Sequence, residues 1–252
     1  MVGFLKVFQK GAETFKKVSH LAMIPIILDV IFYWHEGLVA ALSETFRVGV
    51  KFSLPFDLPS IESFYDFPKT AVQSLTYSII LMTIFAFIRA FVLGGYLGEI
   101  YQASENFPPI TFTKLSHKYF TRFLSFEFLW LILILPTFFI GVAAIAYVIF
   151  LLILGYFLYL TPFIIIADDA SFSKAIRKSV MLASGKTEVL TYAFIFLALT
   201  GIISTIIYLL MNIPVLGFLI SVIITSIVGS IFTAATMNFY IDLQKSSDYL
   251  KV

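Results

Sequence analysis

An all-α, polytopic membrane protein is the fold class this sequence predicts, and three observations predict it. Of 252 residues, 60% are hydrophobic and 13% charged, against roughly 45–50% and about 25% in soluble domains. Two stretches, 128–167 and 189–241, pass 40 and 53 residues without an Asp, Glu, Lys or Arg. Between them lies a charged island, 167–186, reading ADDASFSKAIRKSVMLASGK, where the chain surfaces. Mean hydropathy is +0.98. A soluble core needs polar surface to cover it, and here there is too little.

Residues 1–20 carry Lys6, Lys10, Lys16 and Lys17 with Phe4, Phe8 and Phe15 at near-helical spacing. That pattern is an amphipathic helix of the kind that lies at an interface. A basic start before an apolar run also suits a signal peptide, but Pro25 and Asp29 interrupt the run. The reading is an uncleaved first span, 21–42.

Residues 43–70 are polar, punctuated by Pro55, Pro59 and Pro68, and rich in aromatics. They read first as a loop lying on the outer interface, where aromatic rings are favoured. A re-entrant segment or substrate lid is the alternative. The second span, 71–98, is long enough to cross with tilt and holds Arg89 inside it. Its end, Gly94-Gly95-Tyr96-Leu97-Gly98-Glu99, allows close packing through small residues. Pro108-Pro109 then stops the chain, and Thr111 is placed to cap the next helix. In that helix Phe112, Leu115, Tyr119, Phe120 and Phe123 trace one face opposite Lys114, His117, Lys118 and Arg122.

The apolar stretch 123–167 exceeds one crossing of a hydrocarbon core about 30 Å thick. It predicts a hairpin, spans 122–139 and 144–167, turning near Gly141. The same argument divides 189–243 into spans 189–211 and 215–243, with Asn212-Ile213-Pro214 as the turn. Six spans result. Lys and Arg set the orientation. With the N-terminus inside, the inner segments hold thirteen of them and the outer ones only Arg47, Lys51 and Lys69, Arg89 being in a span. Both termini are therefore expected on the cytoplasmic side of the cell membrane.

An internal repeat is also expected. Gly95-Tyr96 matches Gly155-Tyr156, and Thr111-Phe112-Thr113-Lys114 with Lys118 matches Ser171-Phe172-Ser173-Lys174 with Lys178, both at an offset of 60 residues. Phe4, Lys6 and Lys10 repeat the last part before the first span. The pattern suggests three helical hairpins, each introduced by a basic amphipathic helix at the inner surface.

Several chemistries are missing. There is no Cys, hence no disulfide, thiolate metal site or cysteine nucleophile. Scarce Cys, Asn and Gln fit a thermophile, although membrane composition alone produces the same scarcity. His35-Glu36 has no second His four residues on, and no Gly-x-Ser-x-Gly or phosphate-binding loop occurs. No cofactor, metal or nucleic-acid partner is expected. The costly residues remain: Asp29, Arg89 and Glu127 lie within spans, where charges face a partner or a watery cavity. Asp29 and Arg89 sit at matching depth on consecutive spans and are expected to pair, with Glu127 the next candidate for Arg89. His20, Glu99, Asp168 and Asp169 form an expected polar cluster at the inner surface. Asp168-Asp169 before a Ser-capped helix reads as complementing the helix dipole, or else as a metal or acid–base pair.

With these residues laid out, the chain resembles a group of six-helix membrane families that includes the membrane domain attached to some glycerophosphodiester phosphodiesterases. Gly94-Gly95-Tyr96-Leu97 with Phe107-Pro108-Pro109 carries part of the likeness. Ala167-Asp168-Asp169 leading to Lys174-Ala175-Ile176-Arg177-Lys178-Ser179 and Gly185-Lys186 carries another. The ending Ala234-Ala235-Thr236-Met237-Asn238-Phe239-Tyr240-Ile241-Asp242-Leu243 is the third. A fainter similarity over 21–34 is to six-helix sulfate permeases. The resemblance implies a fold and no activity, because the phosphodiesterase catalytic domain is missing from these residues. Three functions stay open: a small transporter or channel-like protein without covalent chemistry, taking a small solute or lipid; a lipid-modifying enzyme using Asp168, Asp169 or His117; or a scaffold binding anionic membrane lipid and a partner protein.

Overall fold

The computed structural model describes residues 3–42, 47–54, 58–66, 75–138, 144–213 and 215–248. The expected turn near Gly141, together with Pro55, Pro68, Lys69, Pro214 and Lys251, lies outside them. Among the described residues every regular element is a helix. The longer ones are α1 (Phe4–Lys17), α2 (Met23–Leu42), α3 (Leu75–Glu105), α4 (Phe112–Ile134), α5 (Ala144–Leu158), α6 (Thr161–Ala167), α7 (Phe172–Gly185), α8 (Thr187–Leu210) and α9 (Leu216–Asp248).

Four helical stretches among these residues are long and apolar enough to cross a membrane: Met82–Glu105, Ala146–Ala167, Thr187–Leu210 and Leu216–Ser246. They match four of the six expected spans. The first expected span falls on α2, whose apolar part, with the turn before it, is the shorter Ser19–Trp34. The third falls on α4. There the amphipathic start and the apolar run form one continuous helix, and the part beyond Arg122 is only about 18 Å long at ~1.5 Å per residue. An integral membrane protein is what these apolar helices describe.

Two boundaries differ from expectation, each for a packing reason. The second span was expected to end near Gly98, yet α3 continues to Glu105. The glycines there sit at the close helix contact that small residues allow: a Cβ on Gly95 would lie 2.5 Å from Ser116 Oγ and 2.6 Å from the Phe112 ring of α4. The fourth span breaks into α5 and α6 because Pro162, in the first turn of α6, has no N–H to continue the ladder.

Helices α1, α4 and α7 begin at Phe4, Phe112 and Phe172, following Gly3, Thr111 and Ser171 in extended conformation. Thr111 and Ser171 hold the expected cap positions, but neither hydroxyl closes onto the first turn. The buried face of α1 is Val7, Gly11 and Thr14, with Phe8 stacked on Tyr192 at 6.0 Å and edge-on to Phe232 at 5.7 Å.

The chain divides into two compact units. One holds Gly3–Val72 and Leu190–Thr236, the other Gln73–Val189 and Met237–Val252. The core of the first gathers Ile61, Phe64, Tyr65, Ile207, Met211, Phe218 and Val222. The second is centred on the α3–α4 hairpin and on α6 and α7.

Candidate functional site

In the first unit the decisive feature is a pair of mostly non-helical limbs, 47–54 and 58–66. The first limb reads Arg47-Val48-Gly49-Val50-Lys51-Phe52-Ser53, alternating polar or small with apolar. The chain follows that alternation: Val48, Val50 and Phe52 are exposed, while the residues between them are half-buried. This is extended, non-helical chain lying along α8.

The match is geometric. Every second residue of an extended chain advances about 6.6 Å, and every fourth residue of a helix about 6 Å. Asn212, Tyr208, Ser204 and Thr200 are spaced by four, and they meet Arg47, Gly49, Lys51 and Ser53 in turn. Asn212 Oδ1 accepts from the Arg47 N–H at 2.9 Å, and its Nδ2 donates to the Arg47 carbonyl at 3.0 Å. Ser204 Oγ accepts from the Lys51 N–H at 2.7 Å, and the Thr200 hydroxyl, which donates to the Leu197 carbonyl of its own helix at 2.9 Å, also reaches the Ser53 carbonyl at 3.4 Å. At Gly49 the chain passes close to Tyr208: a Cβ there would lie 2.7 Å from the ring, which would have to move aside. From Asn212 to Thr200 the strand travels about 18 Å along the helix axis.

The second limb, 58–66, returns through the core of this unit. Leu58, Ile61, Phe64 and Tyr65 are all buried. Ser204 Oγ donates to the Phe64 carbonyl at 2.7 Å, so one hydroxyl holds both limbs. Tyr208 OH accepts from the Asp66 N–H at 3.1 Å, and Lys51 Nζ joins the limbs through Asp66 at 2.7 Å and the Glu62 carbonyl at 2.6 Å. Near the tip sits Asp29, 1% exposed. Its carboxylate accepts from Ser60 Oγ at 2.6 Å and the Ile61 N–H at 2.7 Å. A small hollow of about 30 Å³ opens beside the tip, with Ser53, Ser63, Thr200 and Thr233 in its wall. The described parts of the expected outer-interface loop are thus bonded to side chains of α8 and of the turn after it.

Asp29 and Arg89, expected as partners, each take another. Arg89 Nε lies 3.5 Å from Glu127 Oε2, the candidate next in line for it. Position along a helix carried no information about which helix lies alongside.

The second unit holds a charged centre at the end of α6. Asp168 Oδ2 accepts from Lys178 Nζ at 2.5 Å, both carboxylate oxygens accept from Tyr240 OH at 2.9 Å, and Oδ1 accepts from Gln244 Nε2 at 2.7 Å. Asp169, in a left-handed conformation with φ 50°, pairs with Lys118 Nζ at 3.0 Å and Arg122 Nη1 at 2.5 Å. Partial burial pushes its carboxyl upward, yet the hydrogen bonds and charges of Lys118 and Arg122 prevail and hold it below the ordinary carboxylate value. Both acids thus act as clamps between α4, α7 and the end of α9. Of the rest of the expected cluster, Glu99 lies on α3 and is not among the groups these aspartates touch. His20 belongs to the first unit, in the turn before α2. His117 stands apart, edge-on to Phe91 with ring centroids 5.2 Å apart. Among the described residues no group of three or more His, Asp or Glu is placed to hold a metal ion.

Sequence reasoning missed Ser204, Tyr208 and Asn212, although a four-residue polar period inside an apolar helix was there to find. It also missed Tyr240 and Gln244, which no local pattern ties to Asp168. Together the fold and these two centres define a class: an all-helical, membrane-type protein carrying a non-helical strand along one apolar helix and a clamped ionic centre at the end of another. Compared with family models, curated proteins and solved structures, the chain matches none.

Proposed function

We propose that this chain is a small membrane transport protein that works without covalent chemistry, and that 47–66 is a re-entrant segment forming its pathway. One observation carries the reading: an extended chain runs about 18 Å along a helix long and apolar enough to span a bilayer, bound by Ser204 and Thr200 of that helix and by Asn212 just beyond its end. Non-helical backbone is tolerated at membrane depth only inside protein or beside a watery cavity, and ionisable groups there usually mark a path. The hollow at the tip has room for about one or two waters. The enzyme reading has less support, because both carboxylates at 168–169 are already engaged by cations and hydroxyl or amide donors.

The six-span topology with cytoplasmic termini, the three-hairpin repeat and the likeness to the phosphodiesterase-linked membrane domain belong to the same proposal. The common helix starts at Phe4, Phe112 and Phe172 support the repeat.

The test is flux into liposomes reconstituted with the full chain, using protons, K+, Na+, chloride, glycerol and urea as probes. At least one should cross faster than in protein-free vesicles. Ser204→Ala and Asp29→Asn, inserted to the same level, should slow it. Equal rates with and without protein for every probe would end the transport reading and leave the scaffold.

A further inference from the structure

The charged centre of the second unit opens onto a cleft of about 550 Å³ that the transport reading does not use. Its wall is Arg122, Ile164, Asp168, Asp169, Ala170, Ser171, Lys174 and Lys178. The volume is that of a small-ligand site, which typically runs from about 300 to 1,000 Å³.

The charges in the wall are not equivalent. Asp168 is engaged by Lys178, Tyr240 and Gln244, and Asp169 by Lys118 and Arg122. Both acids are thereby neutralised from within the protein. Lys174 has no ion-pair partner among the described residues, so the wall keeps an uncompensated cation. It stands in the first turn of α7, where Ser171 makes no side-chain cap. The N–H groups of that turn are left for an acceptor from outside, and a helix start carries partial positive charge. Arg122, only partly engaged by one nitrogen with Asp169 and the Ala170 carbonyl, adds a fork suited to oxyanions.

We propose that this cleft binds a phosphate group, with Lys174 as its principal cation and the start of α7 and Arg122 as supporting donors. The cleft follows directly on Ala167, where an apolar spanning-length helix ends, and Ile164 gives it an apolar wall. That is the level at which a phospholipid headgroup lies, while a free phosphate would satisfy the same donors.

The experiment uses the full chain with three probes: inorganic phosphate in detergent, nanodiscs of phosphatidylcholine alone, and nanodiscs of phosphatidylcholine with phosphatidic acid. Wild type is compared with Lys174→Glu, Lys174→Gln and the charge-matched control Lys186→Glu outside the cleft. Both Lys174 variants should bind roughly tenfold more weakly, the effect of losing one charge-assisted bond, and the control should change less than about twofold. Lys174-dependent binding of phosphatidic acid without binding of inorganic phosphate assigns a lipid headgroup. Lys174-dependent binding of inorganic phosphate assigns a free-phosphate site. If neither probe binds in a Lys174-dependent way, or Lys186→Glu weakens binding equally, the cleft is not a phosphate site. The outcome is independent of the flux measurements.

Discussion

The two units solve the same problem, polar groups among apolar helices, with different chemistry. Around 47–66 most bonds run from neutral side chains to backbone, Asn212, Ser204 and Thr200 to the first limb and Tyr208 to Asp66, with Ser60 and the Ile61 N–H donating to Asp29 and one ion pair, Lys51–Asp66, joining the limbs. Around 168–169 they are ion pairs backed by Tyr240 and Gln244. The difference follows from position along the helices. Alongside α8, removing a charge from water costs on the order of several kcal/mol, so the buried clamps there are hydroxyls and amides, and the Lys51–Asp66 pair keeps Asp66 about two-thirds exposed. At the end of α6, water reaches half-exposed Asp169, and opposite charges meet without that penalty. Arg89–Glu127 is the exception, an ion pair inside α3 and α4, and it is where the comparison is easiest to break.

Removing one member of that pair should have the largest effect. Glu127 is nearly buried and Arg89 about one-third exposed, so Arg89→Gln or Glu127→Gln alone should cost toward the lower end of about 3–5 kcal/mol. The double change should cost less than the sum, by about 1 kcal/mol or more. Thermal unfolding of the four proteins in detergent measures this, and simple additivity would show that the two charges act separately.

Next is Asp29. Asp29→Ala strands the buried Ile61 N–H and frees Ser60, at about 1–3 kcal/mol. Asp29→Asn keeps an acceptor for that N–H and should lose less than half as much. Equal losses would mean that the negative charge itself matters, and that the first unit resembles the second.

Ser204→Ala removes the one hydroxyl that holds both limbs, an effect in the lower part of about 1–3 kcal/mol. Its signature is local. Hydrogen exchange at the Lys51 amide should quicken while the amides of α3 and α4 keep their rates, whereas uniform quickening would deny the strand its separate clamp.

The smallest effect is the pH response of Asp169. Its carboxyl is held below the ordinary value, so its pairing contributes stability above the unfolded value of about 3.9 and loses it as pH falls through the lower folded value. The melting temperature should therefore drop below about pH 4. Asp169→Asn should melt slightly lower at neutral pH, with the gap from wild type closing in that acid window. A gap that stays constant down to pH 3 would show that the ion pairs with Lys118 and Arg122 contribute nothing.

Much of this was written along the chain. Composition alone determined the membrane class, because apolar content adds residue by residue and needs no knowledge of neighbours. The helix starts at Phe112 and Phe172 followed from local signals, and Asp29, Arg89, Glu127, Asp168 and Asp169 stood out as charges that needed partners. A rise of about 1.5 Å per residue placed each along its own helix. What the sequence could not give was azimuth and neighbour. Asp29 and Arg89 were both expected within spans, yet only the packed structure assigns Ser60 and Ile61 to one and Glu127 to the other. Likewise the alternation in 47–53 and the four-residue period in 200–212 were both visible, but nothing local says that the two periods meet. Tertiary structure decided that, because a 6.6 Å strand repeat and a 6 Å helix repeat become one site only when the chain lays them side by side.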